Sequence, residues 1–150
     1  LKGRADRSLL VQNGLVPETT LSAGASYTHK LAWGDTVRAS FNYTRSFSAG
    51  AAQVYSLPTV GLEYEFNRPI LGAHLEIGAN YGYKSYNFSP FSTTGRQDRI
   101  LAGHVSADFR GLSYMGFSPV VTVEAKQVWS NVPIYSQQTL SGGISFESRF

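Results

Sequence analysis

The chain contains no cysteine, one methionine and two tryptophans in 150 residues, and no apolar run near the roughly 18 residues that a membrane-spanning helix needs. The first absence rules out a disulfide framework, thiolate metal ligands and a cysteine nucleophile. The second rules out a helical membrane protein, but not one that crosses with strands, where only every other residue meets lipid. Charge is scarce as well: 15% of residues are Asp, Glu, Lys or Arg, against about 25% in soluble domains. So sparse a complement leaves much of the surface to face something other than water. Net charge is +3, yet the basic residues are scattered singly, so no nucleic-acid interface is expected. The opening Leu1–Asp6 lacks the apolar core of a secretion signal. A processed or truncated form, with sequence upstream left out, is therefore expected.

What is abundant is aromatic and small. Aromatics make up 13% of the chain, with nine Tyr and nine Phe beside 15 Gly, a composition that suits strands joined by tight turns. Alternation decides the class. From Thr139 onward, Leu140, Gly142, Ile144, Phe146, Ser148 and Phe150 fall on one face, and Thr139, Ser141, Gly143, Ser145, Glu147 and Arg149 on the other. The same two-residue period marks Phe117–Lys126, Leu101–Phe109, Ala73–Lys84, Val60–Phe66, Val37–Thr44 and Thr20–Thr28. A weaker stretch at Ser8–Gln12 is the candidate for an eighth strand. Short connections are expected at Ala32–Gly34, Asn67–Leu71 and Arg110–Gly116, and longer polar ones at Phe47–Ser56, Asn87–Gln97 and Ser130–Gln137.

Strands of about 9–13 residues exceed the 5–6 common in soluble sandwiches and match a tilted membrane crossing. The expected fold is all-β: an antiparallel transmembrane β-barrel of about seven to eight strands, one domain over residues 1–150, forming the C-terminal part of a larger barrel in the outer membrane of a Gram-negative cell. The polar face then lines the interior. Its charges are Arg38, Glu63, Glu65, Glu76, Lys84, Asp108, Glu124, Lys126, Glu147 and Arg149, with Glu147 and Arg149 set beside Glu124 and Lys126 for mutual neutralisation. Aromatic girdles are expected at both water–lipid boundaries. Phe66, Phe109, Phe117, Phe150 and Trp33 belong to the periplasmic end; Tyr27, Tyr43, Tyr83 and Trp129 belong nearer the outer one.

Chemistry is thinly represented. Of the three histidines, His104 shares a face with Asp108, but four residues along a strand is about 13 Å, beyond contact. There is no Gly-x-Ser-x-Gly elbow, no His-Glu-x-x-His and no phosphate-cradling glycine loop. The reading is of a protein that is not an enzyme and takes no metal or cofactor. Its expected partners are outer-membrane lipid and, during insertion, the barrel assembly machinery. The end of the chain resembles the signal read by that machinery: Gly142, Ile144, Phe146 and the terminal Phe150 on one face, with Ser148 where that signal usually has an apolar residue.

A more specific order of motifs occupies the last third. Arg96-Gln97-Asp98-Arg99 opens one strand and Gly116-Phe117-Ser118-Pro119 the next; Ser130-Asn131-Val132-Pro133-Ile134-Tyr135 forms the final loop before Ser148-Arg149-Phe150. Over about Gly95–Phe150 this resembles the C-terminal barrel of the surface lipoprotein assembly modifier family. The resemblance implies a barrel that helps lipoproteins reach the cell surface, with those lipoproteins as partners. It singles out Arg96, Asp98, Gly116, Phe117, Pro119, Ser130, Asn131 and Tyr135. The family joins a periplasmic helical-repeat region to a barrel of more strands than are counted here, and this chain has no such repeat. From the residues themselves, Gly116 suits a tight turn, Pro119 a strand start, Asn131 and Pro133 a stiffened loop, and Tyr135 a lid over the lumen mouth. A passive small-solute channel and a structural or adhesive barrel are the competing functions.

Overall fold

The computed structural model describes residues 2–8 and 18–148. They form one antiparallel sheet of eight strands in sequence order: β1 (Lys2–Ser8), β2 (Glu18–Lys30), β3 (Thr36–Ser48), β4 (Tyr55–Glu65), β5 (His74–Tyr86), β6 (Arg96–Asp108), β7 (Phe117–Ser130) and β8 (Gln137–Ser148). Each strand pairs with its neighbours in the chain, and β1 and β8 are the edges. No second sheet stands opposite among the described residues.

The alternation in the sequence becomes two faces of this sheet, because directly opposed residues share a face. Ala39↔Leu62, Leu62↔Ala79, Ile77↔Val105, Val105↔Val123 and Val123↔Gly142 carry one apolar surface from β3 to β8. The row Thr28↔Arg38↔Glu63↔Gly78↔His104↔Glu124↔Ser141 crosses the same strands on the polar side.

Burial is inverted relative to a water-soluble fold. Leu62 is 57% exposed, Val123 47% and Ile144 70%, whereas Ser46, Asp98 and Ser118 on the polar face are 0–1% exposed. The sheltered side of the sheet is the polar one. A soluble sandwich hides its apolar face against a second sheet, so the packing argues against that alternative.

Several expectations shift. An eighth strand lies at Lys2–Ser8; the stretch expected at Ser8–Gln12 falls, after Ser8, outside the described residues. The contrast in loop length is lost as well: the strands take in the ends of the longer loops, so that only residues 49–54 join β3 to β4, while 66–73 join β4 to β5. The sheet has two ends, one at the turn that carries Trp33 and one at the loop that carries Tyr135: the Trp33 end and the Tyr135 end. Tyr27, expected at the outer level, lies three residues from the close of β2, at the Trp33 end.

Turns at the Trp33 end explain why the strands reverse where they do. Gly34 has φ 100° and its N–H donates to the carbonyl of Leu31 at 2.9 Å. The other two turns place residues with φ near 50° and 80° in sequence, Leu71–Gly72 and Met115–Gly116. Positive φ at both central residues is the hairpin geometry that matches strand twist.

Candidate functional site

Of the ten charges expected to line the interior, the register sets the nine described ones, from Arg38 to Glu147, on the polar side of the sheet; Arg149 lies outside the described residues. Their pairing differs from expectation. Glu124 stands opposite His104 and Ser141, Lys126 opposite Ala102 and Thr139, and Glu147 opposite Ser118. Glu147 is thus six residues down the ladder from the level of Glu124, too far to share a charge balance with it.

Contacts run across strands instead. Arg38 pairs with Glu63 at 2.9 Å. His104 Nε2 lies 3.3 Å from Glu76 Oε1 on the neighbouring strand, two positions off the direct pair. Gly78 makes room for this: a Cβ there would collide with the His104 ring. A diagonal partner depends on the register, so inspection along one strand found only the distant Asp108. That residue is opposite His74 and binds Arg110 at 2.9 Å.

The densest group is at the Tyr135 end. The Arg96 guanidinium grips Asp98 with both arms, Nε to Oδ1 at 2.9 Å and Nη2 to Oδ2 at 2.6 Å, and Asp98 is 1% exposed. The ring of Tyr135 caps the same guanidinium at 3.6 Å, with Tyr86 at 4.7 Å. On the adjoining strand the Lys84 ammonium sits 3.7 Å from the Tyr55 ring, directly opposite Asp98 in register. Cations held over aromatic faces and against a buried carboxylate are mutually reinforcing.

Asn131 fastens the final loop to this group. Its Oδ1 accepts from the Gln97 N–H at 2.8 Å, its Nδ2 donates to the Gly95 carbonyl at 3.0 Å, and its own N–H donates to the Gln97 carbonyl at 3.1 Å. In effect it extends the β6–β7 ladder with a side chain. Gly95, at φ 80°, leaves no room for a Cβ, which would meet the Tyr86 carbonyl at 2.6 Å. Ser130 Oγ accepts from the Val132 N–H at 3.2 Å, shaping the turn that carries Tyr135 inward. Phe91, from the β5–β6 connection, completes the cover against Tyr135 at 6.3 Å.

The remaining motif residues act at the opposite end. Gly116 supplies the positive φ of its turn, and Pro119 lies one position past the last β6–β7 partners, Asp108↔Val120, so its missing N–H leaves that ladder whole. Phe117, 44% exposed, is on the apolar face. So are Gly142, Ile144 and Phe146, opposite Val123, Val121 and Pro119; Phe150 lies outside the described residues.

Sequence reasoning missed a second knot at the Trp33 end. Asp35 accepts from Trp33 Nε1 at 2.9 Å, from the Asn67 N–H at 2.9 Å and from the Tyr64 hydroxyl. These donors, the Tyr64 hydroxyl foremost, hold its carboxyl below the ordinary aspartate range. The signal was available in the Trp-Gly-Asp of the turn, since an aspartate just after a tight turn is placed to accept from nearby N–H groups. No family model, no curated protein and no solved structure matches this chain.

Proposed function

We propose that this chain is a membrane-spanning part of an outer-membrane β-barrel, and that the barrel serves the display of lipoproteins at the cell surface. The observation that carries the membrane reading is the inverted burial: a seven-strand run of exposed Leu, Val, Ile, Phe and Tyr behind a sheltered face of Ser, Thr, Glu, Arg and Gly. Lipid is the solvent in which such a surface costs nothing, and a polar interior is what strands of this kind enclose. In water, contiguous apolar surface on that scale drives aggregation.

A closed eight-stranded barrel fills its interior with side chains. Here β8 is exposed along both faces, including Ser141, Ser145 and Glu147 on the polar side. That supports closure by further strands added at the edges β1 and β8, and so a wider lumen. Lipoprotein display rests on the motif order resembling the surface lipoprotein assembly modifiers. Arg96, Asp98, Asn131 and Tyr135, separated in sequence, meet in one cluster that folds the last loop toward the polar face. In this reading β8 runs down to the periplasm and the Tyr135 end faces outward.

Two experiments test the proposal. Val123→Arg is expected to cost about 2–4 kcal/mol in vesicle-based unfolding, as for a cation near the bilayer midplane, while Thr122→Arg on the sheltered face costs far less. Equal losses at the two positions would overturn the lipid assignment. For the function, deletion of the whole gene is expected to remove particular lipoproteins from the cell surface, read by protease shaving of intact cells. Unchanged surface exposure of every lipoprotein rejects the display role and leaves the barrel.

A further inference from the structure

The apolar face of β2–β8 carries no Asp or Glu, and its formal charges are two arginines, Arg45 and Arg99, both at the Tyr135 end. All the described carboxylates of these strands lie on the other face. An arginine placed on a lipid-facing surface is costly unless its head reaches the interface and finds an anion there. Arg45 lies against the ring of Phe47, 5.9 Å from its centroid. Arg99 is exposed, and no side-chain hydrogen bond or ion pair holds it among the described residues.

Its setting is built for an amphipathic ligand. The register puts Tyr83 on one side of Arg99 and Trp129 on the other. Together with Gln97, Ser130 and Asn131 these residues line an open cleft of about 230 Å³. Trp129 is 48% exposed. Below the cleft the apolar face continues without a break through Leu101 and Val105, so an acyl chain leaving it runs straight down the sheet. The composition is one cation, two aromatic rings with polar tips and a rim of amides and a hydroxyl, which suits a phosphate at the headgroup level and not a neutral lipid.

We infer that Arg99, flanked by Tyr83 and Trp129, docks a phosphorylated glycolipid of the lipid A class from the outer leaflet, with the guanidinium on a phosphate. Arg45, one exterior row nearer the loops and three strands away, is a second cationic contact along the same rim. The inference rests on the membrane reading and on the outward direction of the Tyr135 end. It gives the barrel a lipid partner that is independent of any lipoprotein cargo.

The test uses the full chain refolded in phosphatidylcholine vesicles. With every other tryptophan of the chain, Trp33 included, changed to Phe, Trp129 reports alone, and brominated phosphatidylcholine quenches it. Added lipid A is expected to relieve that quenching at about tenfold lower concentration than its dephosphorylated form, the equivalent of one charge-assisted contact. Arg99→Gln is expected to bring the two within about twofold, and Arg99→Lys to restore much of the difference. Equal displacement by both forms in the parent chain overturns the site, as does phosphatidylglycerol displacing as well as lipid A. Inorganic phosphate is expected to do nothing, and relief by it alone overturns the lipid assignment. A second chain, Val123→Trp with every native tryptophan changed to Phe, separates the two readings. If that probe is quenched while Trp129 shows no phosphate preference, the cleft inference fails and the barrel stands. If it is not quenched by any brominated lipid, the membrane reading itself falls.

Discussion

The two ends of the sheet are stabilised in different ways. At the Trp33 end, order is local: each turn is set by a few consecutive residues, with Gly34, Gly72 and Gly116 at positive φ and Asp35 gathering donors from residues that the β3–β4 pairing brings beside it. At the Tyr135 end, order is assembled from distant pieces. Arg96 of β6, Tyr86 of β5 and Tyr135 from the last loop meet around Asp98, and Asn131 reaches back to Gly95 and Gln97. The lesson is one of dependence: a change in the Leu71–Gly72 or Met115–Gly116 turn is expected to loosen that turn alone, whereas a change at the Tyr135 end is expected to release two loops together.

Asp98 is the most direct way to break that contrast. Its carboxylate is buried and doubly bound to Arg96, so Asp98→Ala leaves a half-sheltered guanidinium without its anion. A loss of about 3 kcal/mol is expected, measured by urea unfolding from vesicles. The β5–β6 and β7–β8 loops are expected to become protease-sensitive together. Cleavage confined to one of them would show that the two are not coupled.

Gly95→Ala attacks the same end through the backbone. A Cβ at φ 80° facing the Tyr86 carbonyl is expected to cost about 1–3 kcal/mol. The comparison at the other end is Leu71→Asn. Leu71 has φ 52° and is 98% exposed, so it packs against nothing, and asparagine tolerates that conformation better. The variant is expected to match or exceed the parent in stability by up to about 1 kcal/mol. A large loss there would mean that the Trp33 end, too, depends on contacts beyond its own turn.

The same division explains what the amino-acid sequence disclosed. Strand identity, the two faces and the sites of reversal follow from short-range rules: alternation at period two, and glycine where φ must be positive. Seven of the strands and the turn at Ala32–Gly34 were legible for that reason. Register was not, because it is fixed by pairing along the whole length of each strand. Everything that depends on it escaped: the His104–Glu76 contact, the setting of Arg99 between Tyr83 and Trp129, the separation of Glu147 from Glu124. Loop lengths failed for a related reason, since a polar residue such as Ser48 looks like loop but continues β3 on the polar side of the sheet. Tyr135 was expected as a lid over the lumen mouth; that its ring packs on the Arg96 guanidinium could be read only from the three-dimensional arrangement.

The smallest expected effect concerns acid, and it sharpens the view of the Trp33 end as self-contained. The carboxyl of Asp35 is held below its ordinary range by donors from Tyr64, Asn67 and Trp33. A lowered value in the folded state means that the unfolded chain binds its proton first as pH falls. The stabilisation is therefore complete above the ordinary aspartate range and is lost as pH drops through the depressed folded value. Because the group is open to solvent the energy involved is small, and the useful readout is local. In a chain whose other tryptophans, Trp129 included, are changed to Phe, Trp33 reports alone. Its emission is expected to stay constant from neutral pH down through the ordinary carboxylate range and to change only below it, when its indole N–H loses a charged acceptor. Asp35→Asn, which keeps an acceptor oxygen but no charge, is expected to abolish that transition while leaving proteolysis at the Tyr135 end unaltered. A transition that survives in Asp35→Asn would assign the titration to another group. Loosened loops at the far end in the same variant would show that the two ends are coupled through the strands.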